Sequence, residues 1–364
     1  MKTMKAWRWY DFGDMRLDEI PVPELKPGWV IAKTKVVQPS VTEAIRALGL
    51  PTLGVKTIRK LIAERAPIQL FGHEFCAEVV GVGDGVKGLK AGDRVAAGSY
   101  VPCHECPLCL TGQQHRCRRG PVIGRHLPGA FAEYLVLPAE TLVKIPQGVD
   151  DHEGAIIQPL SGAVTAVATA KIEMGDTVAV FGQGVMGLYC AQVAKVSGAR
   201  RVIGVDVRDE TLSIAKKLGV DVTINAKNDD PVSSILDITN GSGVEVAFEC
   251  AGGSAEQGLA GSSTLIQTID VMRDFGKIVQ VALFGQPVEL DTDVFRQKSL
   301  AYLFPEAPGR LAYTVDLLAS KRVSVKPTIT HLLEGLEKIP EAFEITSNKA
   351  SYQAINPAQV VISR

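Results

Sequence analysis

Four of the seven cysteines, Cys103, Cys106, Cys109 and Cys117, crowd into one short lobe with the spacing C-x2-C-x2-C-x7-C. Spacings this short bring several thiolates around one point, and four sulfurs in a tetrahedron suit a closed structural zinc site. The alternatives are unliganded thiols or a disulfide pair, and a reducing compartment favours the metal. Zinc held in this way stabilises the lobe and does no chemistry, so one structural zinc per chain is expected. His104 and His115 lie inside the lobe but are surplus to a complete four-thiolate set, and both read as surface residues.

A second pattern runs from Thr177 to Asp206, TVAVFGQGVMGLYCAQVAKVSGARRVIGVD. An apolar run, Val178 to Phe181, predicts a buried parallel strand. Gly182, Gly184 and Gly187 follow as G-x-G-x-x-G where strand must give way to helix. The first glycine permits the tight turn, the second lets backbone approach a pyrophosphate, and the third lets the helix pack closely on the strand. The helix N-terminus then offers free N–H groups to the phosphates, with Val185 and Met186 among the cofactor-binding residues, and a helix-like stretch runs from Leu188 to Ser197. A second strand, Arg201 to Val205, ends in Asp206, 19 residues after Gly187. An acid there accepts hydrogen bonds from ribose hydroxyls and repels a 2′-phosphate, so the site favours NAD. Arg208 leaves room for NADP without outvoting Asp206.

These groups need elements to position them. A chain of 364 residues, 46% hydrophobic, has ample core, and its length predicts two domains. The net charge of −1 argues against nucleic acid as a partner. No apolar run is long enough to span a bilayer, and MKTMKAWRWYDFGD lacks the apolar core of a secretory signal, so the expected location is cytoplasmic. Residues 1–160 hold short β-rich runs (Trp29–Val37, Glu78–Val82, Arg94–Ala97, Phe131–Val136) between Gly/Pro turns, the pattern of a barrel-like domain. After Asp206, helices at Glu210–Leu218 and Thr264–Met272 alternate with strands at Val222–Asn225, Gly243–Cys250 and Gly276–Leu283. Alternation of this kind implies a doubly wound parallel sheet with right-handed crossovers.

The stretch GHEFCAEVVGVGDGVKGLKAGDRV, Gly72 to Val95, resembles the signature of the zinc-containing medium-chain dehydrogenases, the alcohol, sorbitol and threonine dehydrogenase group. The likeness covers essentially the whole chain. It takes in the cysteine lobe, whose spacing matches the family's structural zinc lobe, a Gln-Pro-Leu segment at 158–160, and the nucleotide fold. Ala77, where the family often has Gly, is a minor departure. The resemblance implies an α/β protein: a GroES-like catalytic domain over residues 1–160, a Rossmann domain over 161–299, and a return to the catalytic domain over 300–364. In that return Pro327–Thr330 and Gln359–Ser363 would be strands. It also implies that Val281 and Leu283 border the nicotinamide half of the cofactor site, and that the protein is a homodimer or homotetramer.

At the family's catalytic metal the sequence departs from its relatives. The family pattern supplies a Cys, the His of G-H-E, and a Glu, Cys or Asp just before the cofactor domain. Here those positions fall on Ser40, His73 and Gln158, so two anionic ligands become neutral oxygens. Zinc prefers thiolate, imidazole and carboxylate, and no ordinary catalytic zinc is expected. Cys76 lies three residues from His73, on the opposite face of a strand, and is a poor substitute. Glu74 is the remaining acid that could swing in.

Without that metal, Ser40, Thr42, His73 and Gln158 form a hydrogen-bonding cage for a carbonyl oxygen, with His73 as general acid or base. Thr42 aligns with the family's proton-relay hydroxyl. The expected activity is hydride transfer between NAD and a secondary alcohol or ketone. Two alternatives stand beside it: a zinc-free reductase of a conjugated C=C bond, and a non-catalytic NAD-binding protein. Val55 to Arg65 has helical spacing, with Val55, Ile58, Leu61 and Ile62 on one face and Lys56, Arg59, Lys60 and Arg65 around the rest. It reads either as a solvated covering helix or as a lid whose cations, with Arg116, Arg118, Arg119 and Arg125, favour an anionic small-molecule substrate.

Overall fold

The computed structural model describes residues 2–50, 54–253, 261–284, 287–306 and 310–363. Residues 51–53 of the expected long connection lie outside them. Two compact units emerge: Met1–Pro159 with Pro308–Lys321 and Ile329–Arg364, and Leu160–Ala307 with Arg322–Thr328.

The first unit opens with the hairpin β1 (Thr3–Asp11) and β2 (Asp14–Pro21), then β3 (Trp29–Gln38), α1 (Val41–Ala47) and α2 (Val55–Arg65). It continues through β4 (Glu74–Val82), β5 (Arg94–Ala97), the short α3 (Pro107–Leu110), β6 (Tyr134–Pro138), β7 (Leu142–Lys144) and α4 (Asp151–Gly154). β3 alternates between buried and half-buried positions as far as Val36, as a strand with one face on a core should. It pairs antiparallel with β4 along its length and with β6 over Trp29–Lys33. Trp9, Phe71, Phe131 and Phe343 pack edge to face at the centre, with Trp9–Phe71 centroids 5.1 Å apart. α2 joins this core through Ile58, Leu61 and Ile62.

α5 (Ile157–Ala170) leads into the second unit: β8 (Thr177–Phe181), α6 (Val185–Val196), β9 (Arg201–Asp206), α7 (Asp209–Lys217), β10 (Val222–Asn225) and α8 (Pro231–Ile238). Then come β11 (Val244–Glu249), α9 (Ser263–Asp270), β12 (Met272–Gln280), α10 (Thr292–Lys298) and β13 (Ala301–Leu303). The sheet order is β10-β9-β8-β11-β12-β13, every pairing parallel. Every residue of β8 is buried, as a strand covered on both faces requires. The strand order reverses between β8 and β11, the position where open α/β sheets receive ligands. No helix among the described residues is long and apolar enough to cross a membrane.

The chain closes with α11 (Leu311–Ala319), β14 (Leu332–Glu334), α12 (Ile339–Ser347) and β15 (Gln359–Val361). β15 lies between β14 and β3, so the large sheet of the first unit runs β14-β15-β3-β4-β5-β7.

Several sequence expectations need correction. The strand expected at Pro327–Thr330 is a 3-10 turn at Lys326–Thr328, because Pro327 has no N–H for a ladder, and the strand comes later at β14. The boundary placed at 299 falls too early, since β13 pairs with β12 as the edge of the parallel sheet. Met272 opens β12 rather than ending the helix before it, and β12 stops at Gln280 instead of reaching Leu283. α6 starts at Val185, one turn before the expected Leu188, directly on its Gly184 cap. The strand expected at Phe131–Val136 sits further on, at β6, and β4 begins at Glu74, ahead of Glu78.

Candidate active site and metal centre

Ser40 caps α1: its Oγ accepts from the Glu43 N–H at 3.1 Å, and Glu43 Oε2 accepts from the Ser40 N–H at 3.1 Å. This reciprocal box leaves the other carboxylate oxygen of Glu43 for His73, whose Nδ1 lies 2.5 Å from Oε1. Glu43 is almost fully buried at 4% side-chain exposure, whereas His73 keeps 20%, so the imidazole edge faces outward from an acid behind it. Burial is the largest influence on His73 and pushes its pKa down. The charge and hydrogen bond of Glu43, with Glu74 beyond, overcome it and leave the pKa raised; the Arg46 charge opposes them weakly. Thr42 lies half-buried in the first turn of the same helix.

Glu74, next along the chain, belongs to a different network. Its carboxylate accepts from Gln38 Nε2 at 2.6 Å. Gln38 Oε1 accepts in turn from Asn356 Nδ2 at 2.8 Å and Gln359 Nε2 at 3.0 Å. The amide oxygen of Gln359 lies 2.8 Å from His152 Nδ1. Glu74, Gln38, Asn356 and Gln359 are all buried. Burial raises the Glu74 carboxyl to about 7, against the pull of His73 and the Gln38 amide. Held here, Glu74 is not swung toward His73.

Gln158 donates from Nε2 to Ser99 Oγ at 2.7 Å. The geometry therefore joins Ser40, Glu43 and His73 directly, and gives Gln158 and Glu74 other partners. Cys76 faces Asp151, whose Oδ1 is 3.6 Å from Sγ, and burial lifts its thiol well above the usual range. Sequence reading passed over Glu43, although the Ser-x-x-Glu spacing of Ser40 and Glu43 is a capping-box signal. Gln38, Asn356 and Gln359 carry no such signal, being brought together only by the pairing of β3 with β15.

In the cysteine lobe the four sulfurs lie within 4.8 Å of one another, with Cys103–Cys109 at 3.9 Å and Cys106–Cys117 at 4.0 Å. A tetrahedral Zn–S shell sets sulfurs about 3.8 Å apart, so the donors fit zinc with little adjustment. The Cys103 N–H points at Cys117 Sγ (3.4 Å) and helps pull that thiol down to about 6. Among the described residues this is the one group of three or more such side chains placed to hold a metal ion. His104 is exposed and pairs with Glu140 at 2.9 Å, outside the sulfur set, and His115 is also exposed.

The glycine loop has the form of a phosphate cradle. Gly182 has φ +87°, and a Cβ on it would stand 2.7 Å from Ala251 N. A Cβ on Gly187 would meet Gly182 O at 1.7 Å, while around Gly184 there is open space. Gly184 caps α6 with no side-chain hydrogen bond, and among the described residues the amides at Val185 and Met186 have no acceptor, which leaves them for an anion. Asp206 ends β9; Oδ2 accepts from Gln183 N–H at 2.6 Å and Oδ1 from the N–H groups of Val207 and Arg208 at 2.8 and 2.9 Å. Those bonds lock the carboxylate beside the loop. Arg208 leans to Glu210 at 3.9 Å. Val281 and Leu283 follow β12; Val281 N–H donates to Glu249 O at 2.8 Å, and Leu283 O accepts from Gly253 N–H at 3.0 Å. Glu249, also unforeseen, braces this turn through Oε1, which accepts from the N–H groups of Ala251 and Gly252 at 3.0 and 2.9 Å.

Residues 40–147 match the alcohol dehydrogenase GroES-like domain and residues 185–319 the zinc-binding dehydrogenase domain. L-threonine 3-dehydrogenase of Pyrococcus abyssi is 34% identical over 350 residues, covering 95% of this chain and 94% of that protein. A protein of Sinorhizobium meliloti 1021 described as a zinc-binding dehydrogenase and solved with NADP superposes with a TM-score of 0.86 at 26% identity, covering 99% of this chain and 100% of that one. For 2R,3R-butanediol dehydrogenase from Bacillus subtilis the TM-score is 0.83 at 27% identity, with the same coverage.

Proposed function

The chain belongs to the zinc-binding medium-chain dehydrogenase family, and from that premise we propose that it interconverts a secondary alcohol and a ketone with NAD, without an ordinary catalytic zinc. Its proton chemistry rests on His73. The observation that carries this reading is the Glu43–His73 pair at 2.5 Å in a site whose other family-ligand positions, Ser40 and Gln158, bear no charge. Ser40 is already engaged as a helix cap and Gln158 with Ser99, so neither offsets a dication.

Bound NAD supplies the acceptor for the substrate's hydride. Gly182, Gly184 and Gly187 would admit its pyrophosphate, and Asp206 its ribose hydroxyls, in preference to a 2′-phosphate. With Nδ1–H donated to Glu43, the neutral imidazole presents Nε2 as a base. In oxidation Nε2 takes the hydroxyl proton; in reduction the imidazolium returns it to the carbonyl oxygen. Glu43 keeps the tautomer and stabilises the charged ring. Thr42, half-buried in the first turn of α1, would pass that proton onward.

The test is metal content alongside turnover of secondary alcohols with NAD. About one zinc per chain, undiminished turnover after mild chelation, and a kcat lowered by about 10²–10⁴-fold in His73→Gln are expected. Two zincs per chain, with activity following the second, would overturn the metal-free site. Turnover of an enone but of no ketone would replace the alcohol–ketone reading with C=C reduction.

A further inference from the structure

Away from His73, three separate segments of the first unit converge on a cleft of about 420 Å³. Arg8 comes from β1, Arg65 from the last turn of α2, and Arg125 from the loop before β6, while Gln69 and His126 complete the polar lining. Among the described residues, none that lines the cleft is acidic. Arg8 is partly neutralised: Nη1 lies 3.6 Å from Asp18, and Nη2 donates to Pro67 O at 2.5 Å. Among the described residues no carboxylate stands within ion-pair distance of Arg65 or Arg125, and the neighbouring Glu64 is turned to Lys60 at 3.7 Å.

His126 Nδ1 accepts from the Val122 N–H at 3.0 Å, so the neutral ring carries its proton on Nε2 and presents a donor. Burial, then Arg125 and Arg65, hold its pKa below the usual histidine value and keep that form. Arg125 also weighs on Arg46, so its charge is felt beyond the cleft. In a chain of net charge −1, two guanidiniums sharing a cleft without an acid lack a counter-charge. The geometry points to a second binding site here, for a small organic anion of the phosphate monoester class. The phosphate oxygens bridge Arg65 and Arg125, with His126 Nε2 and the Gln69 amide as further donors. Planar guanidinium forks suit a headgroup with three equivalent oxygens and close to two charges. Ile20, Ile68 and Leu127 give the walls an apolar surface for the organic body. None of the residues assigned to hydride or proton transfer lines the cleft, so the site stands independently of the proposed reaction.

The probe is phosphoglycolate, titrated calorimetrically into the full chain at fixed ionic strength and saturating NADH, so that the dinucleotide site is filled. One-to-one saturable binding is expected, weakened at least about tenfold in Arg65→Gln/Arg125→Gln. Melting temperature and NADH affinity of that variant should match the parent; the exposed Arg65→Gln alone is the arm least able to disturb folding and should weaken binding in the same direction. No saturable binding, or binding the variants leave unchanged, overturns the site. Succinate binding as tightly as phosphoglycolate overturns the phosphate assignment.

Discussion

The cysteine lobe and the His73 site are both places where this family holds metal, and they are built in opposite ways. The lobe draws all its donors from Cys103–Cys117, a continuous stretch whose sulfurs already stand near tetrahedral distances. The His73 site collects Ser40 and Glu43 from one helix and its cap, and His73 from the entry to β4, 30 residues beyond Glu43. In the lobe, changing one donor type would destroy the function. At His73, exchanging anionic donors for neutral ones leaves an imidazole–carboxylate pair, to which we assign the proposed proton transfer. A metal site written in local spacing has no second use; one assembled from distant segments does.

The sharpest way to break this contrast is to remove a thiolate. Cys117→Ser should lose the lobe's zinc and lower the melting temperature by more than about 10 °C, because structural zinc binding is folding energy. Metal analysis with thermal unfolding reads both, and an unaltered melting temperature would deny the lobe its structural role. A smaller effect is expected at Glu74, whose carboxyl burial raises from 4.5 to about 7. A carboxyl raised in the folded state costs nothing while both states hold the proton. It costs progressively more as pH climbs from 4.5 through 7, where the buried form must ionise. Glu74→Gln should therefore leave stability unchanged near pH 4 and raise it above pH 7, by up to about 3 kcal/mol. Unfolding measured from pH 4 to 9 checks the slope; a variant less stable at pH 8 would mean that the charge is compensated in place.

The smallest effect sharpens the comparison from the other side. Removing the charge of Glu43 lets burial prevail at His73, so in Glu43→Gln the pH–rate midpoint for alcohol oxidation should move to lower pH, with kcat down about tenfold. A merely structural Glu43 would alter stability and leave that midpoint in place.

Legibility followed the same division. The zinc lobe, the glycine turn and Asp206 could be read because each is a run of residue types at fixed offsets, and β3, β5 and β10 showed alternation or punctuation strong enough to place them. Glu43 was visible as the fourth residue of a capping box but not as a partner of His73, since nothing along the chain says which strand His73 will enter. The Gln38–Asn356–Gln359 cluster was invisible for the same reason. Pro327 misled because the strand there was carried over from the family resemblance, which took no account of its missing N–H.

The position of β15 has a consequence for the order in which the protein is made. Val360 and Val361 pair with Val37 and Val36 of β3, and Gln359 supplies a donor to Gln38. On the ribosome those partners are separated by the rest of the first unit's main segment and the whole nucleotide-binding stretch, 321 residues from Gln38 to Gln359. At about 5–20 residues per second that interval lasts about 16–64 s. Throughout it the Val36–Val37 edge of β3 lacks its final strand, and the amide oxygen of Gln38 lacks its donors. The parallel sheet, by contrast, has all six strands once Leu303 emerges. Synthesis therefore finishes the half that recognises the dinucleotide first, and leaves the half bearing His73 open along one seam until the closing strand arrives.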